Sequence, residues 1–237
     1  MRIFDFDIKK GIYSFEFGEL ITESHSHPVI EIINAANGTF ALQSNGQTNK
    51  NLVFAIINPN IEHRVISKSA KLRVLMLESN NSQVSNFLNR WEIRFQNGFF
   101  CETSLPEKDE LFSQIKTFSE TTDLKTPADS RIVESIKFIE ENELEYKSLI
   151  PELTSRTFLS DSRLSHLFKE HIGISIKKYL VWNKLRQAIN LYLTENTNLT
   201  EVSLESGFFD QAHLTHSFKN ILGVSPSTAY NSRIVQS

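Results

Sequence analysis

The first third of the chain places short apolar runs between turn-forming residues, a pattern that predicts a β-rich domain. Asn-Gly pairs at 37–38 and 45–46 and an Asn-Pro-Asn sequence at 58–60 supply the turns. Strands at intervals of roughly 8–12 residues are typical of a β-sandwich or barrel. The runs are rich in Val, Ile, Leu and Phe and lie at 12–17, 29–34, 39–43, 52–57 and 72–77.

From about Ser82 the apolar positions recur at helical spacing. A connector is predicted at 97–106, and a break at 126–129 is taken as a domain boundary. Beyond the break the helical pattern continues to about residue 230. Two helices are predicted before the break, with apolar faces formed by Val84, Phe87, Leu88 and Trp91 and by Leu111, Ile115 and Phe118.

A sequence repeat organises the C-terminal part of the chain. Residues 164–175 read LSHLFKEHIGIS, and residues 214–225, offset by 50 positions, read LTHSFKNILGVS. Phe158 falls on Phe208 at the same offset. An internal repeat indicates a duplicated structural unit, so the two copies are expected to fold alike.

The second copy predicts two helices joined by a tight turn. A short helix at 199–205 is followed by a break at 206–208, where Gly207 accepts a positive φ without a Cβ penalty. Asp210 is a good N-cap for the next helix, and Gly223 ends it. The unit is therefore a helix-turn-helix.

The first copy predicts the same unit with a different turn. A helix at 150–156 leads through residues 157–159 to a helix that Ser160 or Asp161 caps and Gly173 ends. The turn at 157–159 has no glycine, so its geometry is expected to differ from that of the second copy.

A helix-turn-helix buries one face of its second helix and exposes the other. Leu164 and Phe168, like Leu214 and Phe218, follow the buried i, i+4 spacing. The opposite faces carry donors, acceptors and cations suited to base edges and phosphates. These candidate DNA-binding residues are Ser162, Arg163, Ser165, His166 and Lys169 in the first copy, and Gln211, His213, Thr215, His216 and Lys219 in the second. Base readout is expected from Arg163, His166, Gln211, His213 and His216.

A helix at 175–194 is predicted to join the two copies. At 1.5 Å per residue it spans about 30 Å, close to the roughly 34 Å of one DNA turn. Two recognition helices could therefore enter successive major grooves on one face of the duplex. Phosphate contacts are predicted for the basic residues Lys169, Lys177, Lys178, Lys184, Arg186 and Lys219.

Composition narrows the class of protein. Of 237 residues, 40% are hydrophobic and 22% charged, values typical of a globular chain of one or two domains. Residues 1–145 have a net charge of −6 and residues 146–237 of +3, which favours different partners for the two parts. The lack of a long apolar run or a secretory signal predicts a cytoplasmic protein without membrane contact. The single cysteine, Cys101, excludes an intrachain disulfide and has no activating neighbours in the sequence.

The stretch from about Ser130 to Tyr230 resembles the DNA-binding domain of the AraC-type transcription regulators. The second copy, LTEVSLESGFFDQAHLTHSFKNILGVSP at 199–226, is similar to that family's signature almost end to end. The resemblance implies two recognition helices in one chain that bind double-stranded promoter DNA, and it usually implies activation of transcription. RNA polymerase would then be a further partner.

Four positions depart from the family's pattern. Ser203 stands where the family commonly has alanine, and Ala212 where it commonly has serine. Lys184 stands at the position of the usual arginine in the linker helix, and Tyr230 lies one place later than the usual aromatic residue after Pro226. These changes bear on affinity and on individual contacts more than on the fold.

A second resemblance lies near the N-terminus. The sequence HSHPVIE at 25–31, with Gly38 seven residues later, resembles the first cupin motif, and residues 59–63 resemble a shortened second motif. In cupin enzymes the matching residues bind a divalent metal, and imidazole and carboxylate suit Fe, Mn, Ni or Zn. The metal candidates here are His25, His27, Glu31 and His63. The alternative function is therefore a metal-dependent cupin enzyme.

Sensor domains of AraC-type regulators resemble cupins and often retain such histidines without using a metal. The sequence therefore favours a non-enzymatic regulator without a cofactor, whose barrel binds a small-molecule effector or only forms a homodimer. A ligand in the barrel, or dimerisation, would change the placement of the DNA-binding domains. Candidate pocket residues beside the histidines are Phe15, Phe17, Phe40 and Phe54.

The predicted architecture is an α+β two-domain fold. A cupin-like sensor or dimerisation barrel is assigned to 1–80, and connecting helices that also offer a dimer interface are assigned to 81–126. An all-α domain with two helix-turn-helix units joined by a linker helix is assigned to 130–232.

Overall fold

The structure is a computed structural model that describes residues 2–78, 88–89, 91–120, 129–142, 144–195 and 197–227. One compact unit comprises residues 1–124 together with 218–237, and the other comprises residues 125–217. The predicted helix positions Val84 and Phe87, most of the break at 126–129, and Tyr230 lie outside the described residues. Along the part of the chain that is described, no helix combines the length and apolarity needed to cross a membrane.

The strands of the first unit form two antiparallel sheets. In chain order they are β1 (Arg2–Asp7), β2 (Ile12–Phe17), β3 (Leu20–Ile21), β4 (Val29–Ala35), β5 (Phe40–Ser44), β6 (Gln47–Leu52), β7 (Phe54–Ile57), β8 (Arg64–Ser67), β9 (Leu72–Glu78) and β10 (Phe99–Glu102). One sheet has the order β1-β2-β9-β4-β7-β10 and the other the order β3-β8-β5-β6. Each of the five apolar runs that predict strands contains most or all of one strand of the structure; these strands are β2, β4, β5, β7 and β9.

The sequence prediction misses β1, β3, β6, β8 and β10, of which β3, β8 and β10 have four residues or fewer. β6, with the sequence QTNKNL, exposes five of its six residues because it lies at the edge of its sheet. β10 corrects the predicted connector at 97–106, since Phe99–Glu102 pair with β7 in the register Phe99 to Ile57. An apolar alternation is absent from such edge strands, so periodicity does not reveal them.

The larger sheet packs against α1 (Lys108–Glu120). Leu111 and Ile115 of the helix share one buried cluster with Phe54 of β7. The predicted helix face is therefore confirmed, and Phe118 packs against the same cluster. Phe54 lies in this layer, and Phe15, Phe17 and Phe40 are buried as well. The four aromatic residues that the sequence suggests for an effector pocket are thus core residues.

The helices from residue 129 onward follow the duplicated pattern. They are α2 (Ser130–Glu141), α3 (Tyr146–Thr157), α4 (Asp161–Ile172), α5 (Ile176–Thr194), α6 (Leu199–Glu205) and α7 (Gln211–Leu222). Ser160 caps α4 and Ser175 caps α5, each accepting a backbone N–H of the first turn. Gly173 ends α4 in the left-handed conformation, with φ 83°. The fold is the predicted α+β type.

One core cluster holds α2 to α5 together. It includes Ile132, Leu149, Leu153, Leu164, Phe168, Ile176 and Leu180, all at most 5% exposed. α3 begins at Tyr146, four residues before the predicted start, and places Pro151 in its second turn. The missing N–H of Pro151 costs the helix one backbone hydrogen bond, which packing on this core offsets.

The turns of the two repeats have different geometry. The left-handed residue is Phe158 (φ 55°) in the first turn and Gly207 (φ 75°) in the second, one place earlier at the 50-residue offset. Phe158 is consequently 93% exposed, whereas Phe208 is 4% exposed. The sequence match of Phe158 to Phe208 is therefore not a structural match.

Candidate nucleic-acid interface and histidine cluster

The second helix of each repeat presents one polar face to solvent. On α4 the side chains of Leu164, Leu167 and Phe168 are buried, and those of Arg163, His166 and Lys169 lie on the opposite side. The latter three are spaced three residues apart, so they form one stripe along the helix. Ser162 is exposed and Ser165 half-buried on the same side, where the Ser165 hydroxyl donates to Asp161.

On α7 the buried residues are Leu214, Ser217 and Phe218, and the stripe consists of His213, His216 and Lys219. These positions match Arg163, His166 and Lys169 at the 50-residue offset. The structure thus presents an arginine or histidine, then a histidine, then a lysine in the same order on both helices. Gln211 and Ala212 are exposed at the start of α7, and Thr215 is half-buried beside the stripe.

The start of α7 is fixed by hydrogen bonds to side chains. Asp210 accepts the backbone N–H of His213 at 2.7 Å, which confirms it as the N-cap. The Thr200 hydroxyl of α6 donates to Oε1 of Gln211 at 2.9 Å. These contacts orient the first turn of α7, which contains Gln211 and His213, two of the residues predicted to read bases.

Two of the predicted phosphate contacts are buried instead. Lys184 is 8% exposed, and its Nζ donates to the Gly207 carbonyl at 2.5 Å and to Oε1 of Glu145 at 2.7 Å. Arg186 is 3% exposed and donates to Oδ1 of Asn183 at 2.9 Å. Both residues are correctly placed on α5 by the sequence, but their face of that helix points into the protein.

Lys177 and Lys178 have the exposure that a phosphate contact needs. Both lie in the first turn of α5, directly after the N-cap Ser175, and both are exposed. Backbone N–H groups at a helix start add to the positive charge of the two ammonium groups. Of the basic residues on α5 named from the sequence, these two are exposed, and their phosphate role stays a prediction.

Lys219 has an acidic neighbour within the first unit, which includes residues 218–237. Its Nζ donates to Oε1 of Glu23 at 2.9 Å. The backbone N–H of Glu23 donates to the Gly223 carbonyl at 2.7 Å. Sequence reasoning missed this partner because Glu23 and Lys219 are 196 residues apart and neither belongs to a local motif.

The structure brings the four candidate metal ligands together. One ligand atom from each of His25, His27, Glu31 and His63 lies within 4.8 Å of the others, and all four residues are at most 4% exposed. Nε2 of His27 lies 3.2 Å and Nε2 of His63 lies 3.0 Å from Oε2 of Glu31. The cluster lies between the two sheets of the first unit, because Glu31 lies on β4 and His63 directly precedes β8.

Backbone contacts hold the imidazole rings in fixed orientations. His25 and His63 exchange two backbone hydrogen bonds of 3.0 and 2.9 Å, and the His27 carbonyl accepts from Asn60 at 2.8 Å. Each ring also places its Nδ1 2.9 to 3.0 Å from the carbonyl oxygen of a residue two positions away in the chain. A carbonyl can only accept, so each Nδ1 carries a proton. The Nε2 atom of a neutral ring then has a lone pair to offer.

The electrostatics of the cluster follow from burial and from the central carboxylate. Burial, with the nearby His63, lowers the pKa of His25 to about 3, so that ring is neutral. Burial alone would raise the pKa of Glu31, but His27 and His63 outweigh it and hold that pKa below its usual range. Burial would lower the pKa of His63, but the Glu31 carboxylate leaves it raised. The centre of the cluster therefore favours a positive charge.

Cys101 agrees with the expectation of an inert thiol. It lies on β10 and is partly buried. Burial, together with the charge of Glu102, raises the pKa of this thiol to about 11. The thiolate that nucleophilic chemistry requires is therefore scarce at neutral pH.

Comparison with known proteins identifies the C-terminal part. Residues 153–232 match the family described as a helix-turn-helix domain. The arabinose operon regulatory protein of Escherichia coli K12 is 33% identical over 104 residues, which are 44% of this chain and 36% of that protein. The Msm operon regulatory protein of Streptococcus mutans is 34% identical over 80 residues, 33% of this chain and 28% of that protein. The chain covers about a third of the length of these relatives.

Comparison of structures supports the whole architecture. The crystal structure of ToxT from Vibrio cholerae O395 has a TM-score of 0.57 and 12% identity, covering 93% of this chain and 97% of that chain. ToxT of strain SCE256, bound to an unsaturated fatty acid, gives a TM-score of 0.51 at 12% identity, covering 92% and 93%. Identity this low shows the fold alone, with β-sheets first and helices second.

Proposed function

We propose that this chain, whose residues 153–232 form an AraC-type helix-turn-helix domain, is a sequence-specific DNA-binding regulator of transcription. The observation that carries the proposal is the duplicated polar stripe, formed by the exposed Arg163, His166 and Lys169 and by the exposed His213 and His216 with the half-buried Lys219. Both stripes lie on the side of their helix opposite the buried residues, so core packing does not explain why the same order of side chains occurs twice. Regulation of transcription, rather than catalysis, is the proposed activity.

Each stripe combines two kinds of contact. Arg163 suits the bidentate acceptors of guanine, and the imidazoles of His166, His213 and His216 donate or accept at base edges. Gln211 at the start of α7 suits adenine, and Ser162, Ser165 and Thr215 offer hydroxyls at the rim of the stripes. Lys169 and Lys219 would contact phosphates, together with Lys177 and Lys178.

The linker helix supports binding to two half-sites. α5 has 19 residues, which gives a length of about 28 Å at the usual rise. Its middle is buried, with Trp182, Asn183, Lys184, Leu185 and Arg186 all at most 8% exposed. A rigid spacer of this length suits two recognition helices that enter neighbouring major grooves.

The first unit is proposed to sense an effector or to form a homodimer. The fatty acid named in the ToxT structure supports a small ligand for a domain of this fold. A cleft of about 510 Å³ beside β5 and β6 has a polar lining that includes Glu23, Gln43, Thr48 and Arg64. Activation through contact with RNA polymerase, in the cytoplasm of a bacterium, completes the proposal.

The test is a binding selection from genomic fragments with the whole purified chain at about 150 mM salt, where non-specific phosphate binding is weak. We expect enriched fragments to share a motif of two half-sites about one helical turn apart. The double variant Arg163→Ala/His213→Ala should lose this enrichment, and His171→Ala, a histidine outside both stripes, should keep it. Absence of any enriched sequence, with and without added chelator, would contradict the proposal.

A further inference from the structure

We propose that Phe158 and Phe209, one in the turn of each helix-turn-helix unit, contact the 5-methyl groups of thymines in the two half-sites. This inference rests on the proposed DNA-binding function and adds two specificity-determining residues to it. Neither phenylalanine lies on a recognition helix, so neither belongs to the polar stripes that carry the proposed function.

The two phenylalanines are the most exposed large apolar side chains in the part of the chain that the structure describes. Phe158 is 93% exposed and Phe209 is 84% exposed, against 58% for Leu204 and 52% for Ile21. A single exposed apolar residue is ordinary on a protein surface, so exposure alone does not identify a contact. The occurrence of one such ring in each repeat is what points to a function.

The two turns expose a phenylalanine from different sequence positions. At the 50-residue offset Phe158 matches the buried Phe208, and Phe209 matches Leu159, which packs against the core of α2 to α5. Each turn thus covers one large apolar residue and exposes the other, but the covered and exposed positions are exchanged. Core packing does not require the exposed residue to be phenylalanine in both turns. A ring beside both recognition helices therefore indicates a shared use outside the core.

The first phenylalanine holds its position against the preference of its backbone. Phe158 has φ 55° and ψ 31°, the left-handed conformation in which a Cβ crowds the following carbonyl oxygen. In the second turn this conformation is taken by Gly207, which has no Cβ. Strained residues of this kind are concentrated at functional sites. Burial does not explain the strain of Phe158, since its ring is exposed, so the strain favours a role in binding.

Both phenylalanines lie directly before the first turn of a recognition helix. Phe158 is two residues before the N-cap Ser160 of α4, and Phe209 is one residue before the N-cap Asp210 of α7. The backbone nitrogen of Phe209 lies 3.5 Å from Nδ1 of His213, a residue predicted to read bases. The N-terminal residues of a recognition helix contact base edges in the major groove. The two rings are therefore placed at the edge of each predicted contact with bases.

The chemistry of the ring selects the thymine methyl group. In the major groove thymine is the base that presents an apolar group, its 5-methyl, and phenylalanine is one of the side chains that contact it. A phenyl ring has no hydrogen-bond donor or acceptor, so it would leave the polar edges of guanine and cytosine without the partners that water supplies. Each half-site is therefore expected to contain a thymine beside the bases that the stripe reads.

The test replaces single thymines of a DNA site from the genomic selection with deoxyuridine, which removes only the 5-methyl group. We expect each half-site to contain a thymine whose replacement weakens binding of the unaltered chain by about 4-fold, the effect of one buried methyl group. Phe158→Ala should be insensitive to the replacement in one half-site, and Phe209→Ala to that in the other. Ile21→Ala, at an exposed apolar residue outside both repeats, should respond as the unaltered chain does.

The response to deoxyuridine separates a direct contact from a loosened turn. Because the rings are exposed, both alanine variants are expected to unfold at nearly the same urea concentration as the unaltered chain. A loosened turn would weaken binding to thymine and deoxyuridine sites alike, and the sensitivity to the methyl group would persist. Phe158→Leu and Phe209→Leu, which keep an apolar side chain, should retain part of that sensitivity.

The inference and the proposed function fail in distinguishable ways. If the unaltered chain binds its site and no replacement weakens binding, or each weakens the alanine variants equally, the thymine contact is wrong and the proposed function stands. If the alanine variants bind DNA normally and lose only activation of transcription, the rings contact a protein partner and the inference is likewise overturned. If the chain selects no DNA sequence, both are wrong.

Discussion

The two helix-turn-helix repeats have matching sequences but different local constraints. In the first, Phe158 takes the left-handed turn position with its ring 93% exposed. In the second, Gly207 takes that position, and its carbonyl accepts from the buried Lys184. A Cβ on Gly207 would lie 3.3 Å from Cε of Lys184. The second turn is therefore tied to the linker helix, whereas the first tolerates a large side chain.

The second helices of the two repeats also differ, and again the second repeat is held by more contacts. Lys169 of α4 is exposed, whereas the matching Lys219 of α7 is paired with Glu23. Constraint is thus concentrated in the second repeat, at its turn and at the last turn of its recognition helix. The comparison shows that two copies with matching sequence motifs can differ in the contacts that hold them. Under the proposed function, Lys219 would exchange an ion pair with Glu23 for a phosphate contact, whereas Lys169 would not.

The largest effect is expected at the turn of the second repeat. Gly207→Val should lower the free energy of unfolding by about 2–3 kcal/mol, because valine is strained at positive φ and would contact Lys184. Urea denaturation followed by far-UV circular dichroism measures the change. Gly18→Val, at a glycine where an added Cβ would meet nothing within 4 Å, should be nearly neutral. Equal stability of the two variants would remove the distinction between the turns.

The next effect concerns base discrimination. Arg163→Ala should relax specificity at one base position by about 2 kcal/mol, since a guanidinium makes two hydrogen bonds to guanine. His213→Ala, at the matching position of the second repeat, should cost about 1 kcal/mol, since imidazole makes one. Selection of binding sites by the two variants measures both. Unchanged discrimination in Arg163→Ala would exclude its assignment to base readout.

A smaller effect separates the two lysines. In the presence of chelator, Lys169→Ala and Lys219→Ala should each weaken binding to all DNA sequences and reduce the salt slope by about 1. The loss should be less for Lys219→Ala, by under about 1 kcal/mol, because the unaltered Lys219 must first leave an exposed ion pair with Glu23. Binding titrations over a range of salt concentrations measure both quantities. An unaltered slope would exclude a phosphate contact for that lysine.

The smallest effect is a gain of stability in the first turn. Phe158→Gly should raise the free energy of unfolding by less than about 1 kcal/mol, because relief of the left-handed strain exceeds the added chain entropy of glycine. Little burial is lost, since the ring is exposed. Thermal unfolding of this variant beside Phe209→Gly, an equally exposed position without positive φ, measures the difference. A loss of stability in Phe158→Gly would show that the ring itself supports the turn.

The sequence predicts the elements whose signal is local. Periodicity and caps give α1 and the helices of both repeats, and the apolar runs give β2, β4, β5, β7 and β9. It does not reveal β1, β3, β6, β8 or β10, or the early start of α3 around Pro151. Local rules fail there because pairing and core packing, rather than the segment itself, stabilise the structure.

The candidate sites, like the fold, include features that a local sequence pattern predicts and features that it does not. The cupin-like motifs place His25, His27, Glu31 and His63 in one cluster, and helical spacing gives the exposed stripes. Which face of α5 is buried could not be inferred for Lys184 and Arg186, because that helix is buried on nearly all sides in its middle. The contact of Glu23 with Lys219 could not be inferred either, since it joins residues that no motif relates.

The distance along the chain between Glu23 and Lys219 also sets an order of events during synthesis. They are 196 residues apart, and all four residues of the histidine cluster lie in the first 63. At about 5–20 residues per second, a ribosome makes Lys219 roughly 10–40 s after Glu23. The strands of the first unit can therefore form before the last turn of α7, which contacts Glu23, has been made.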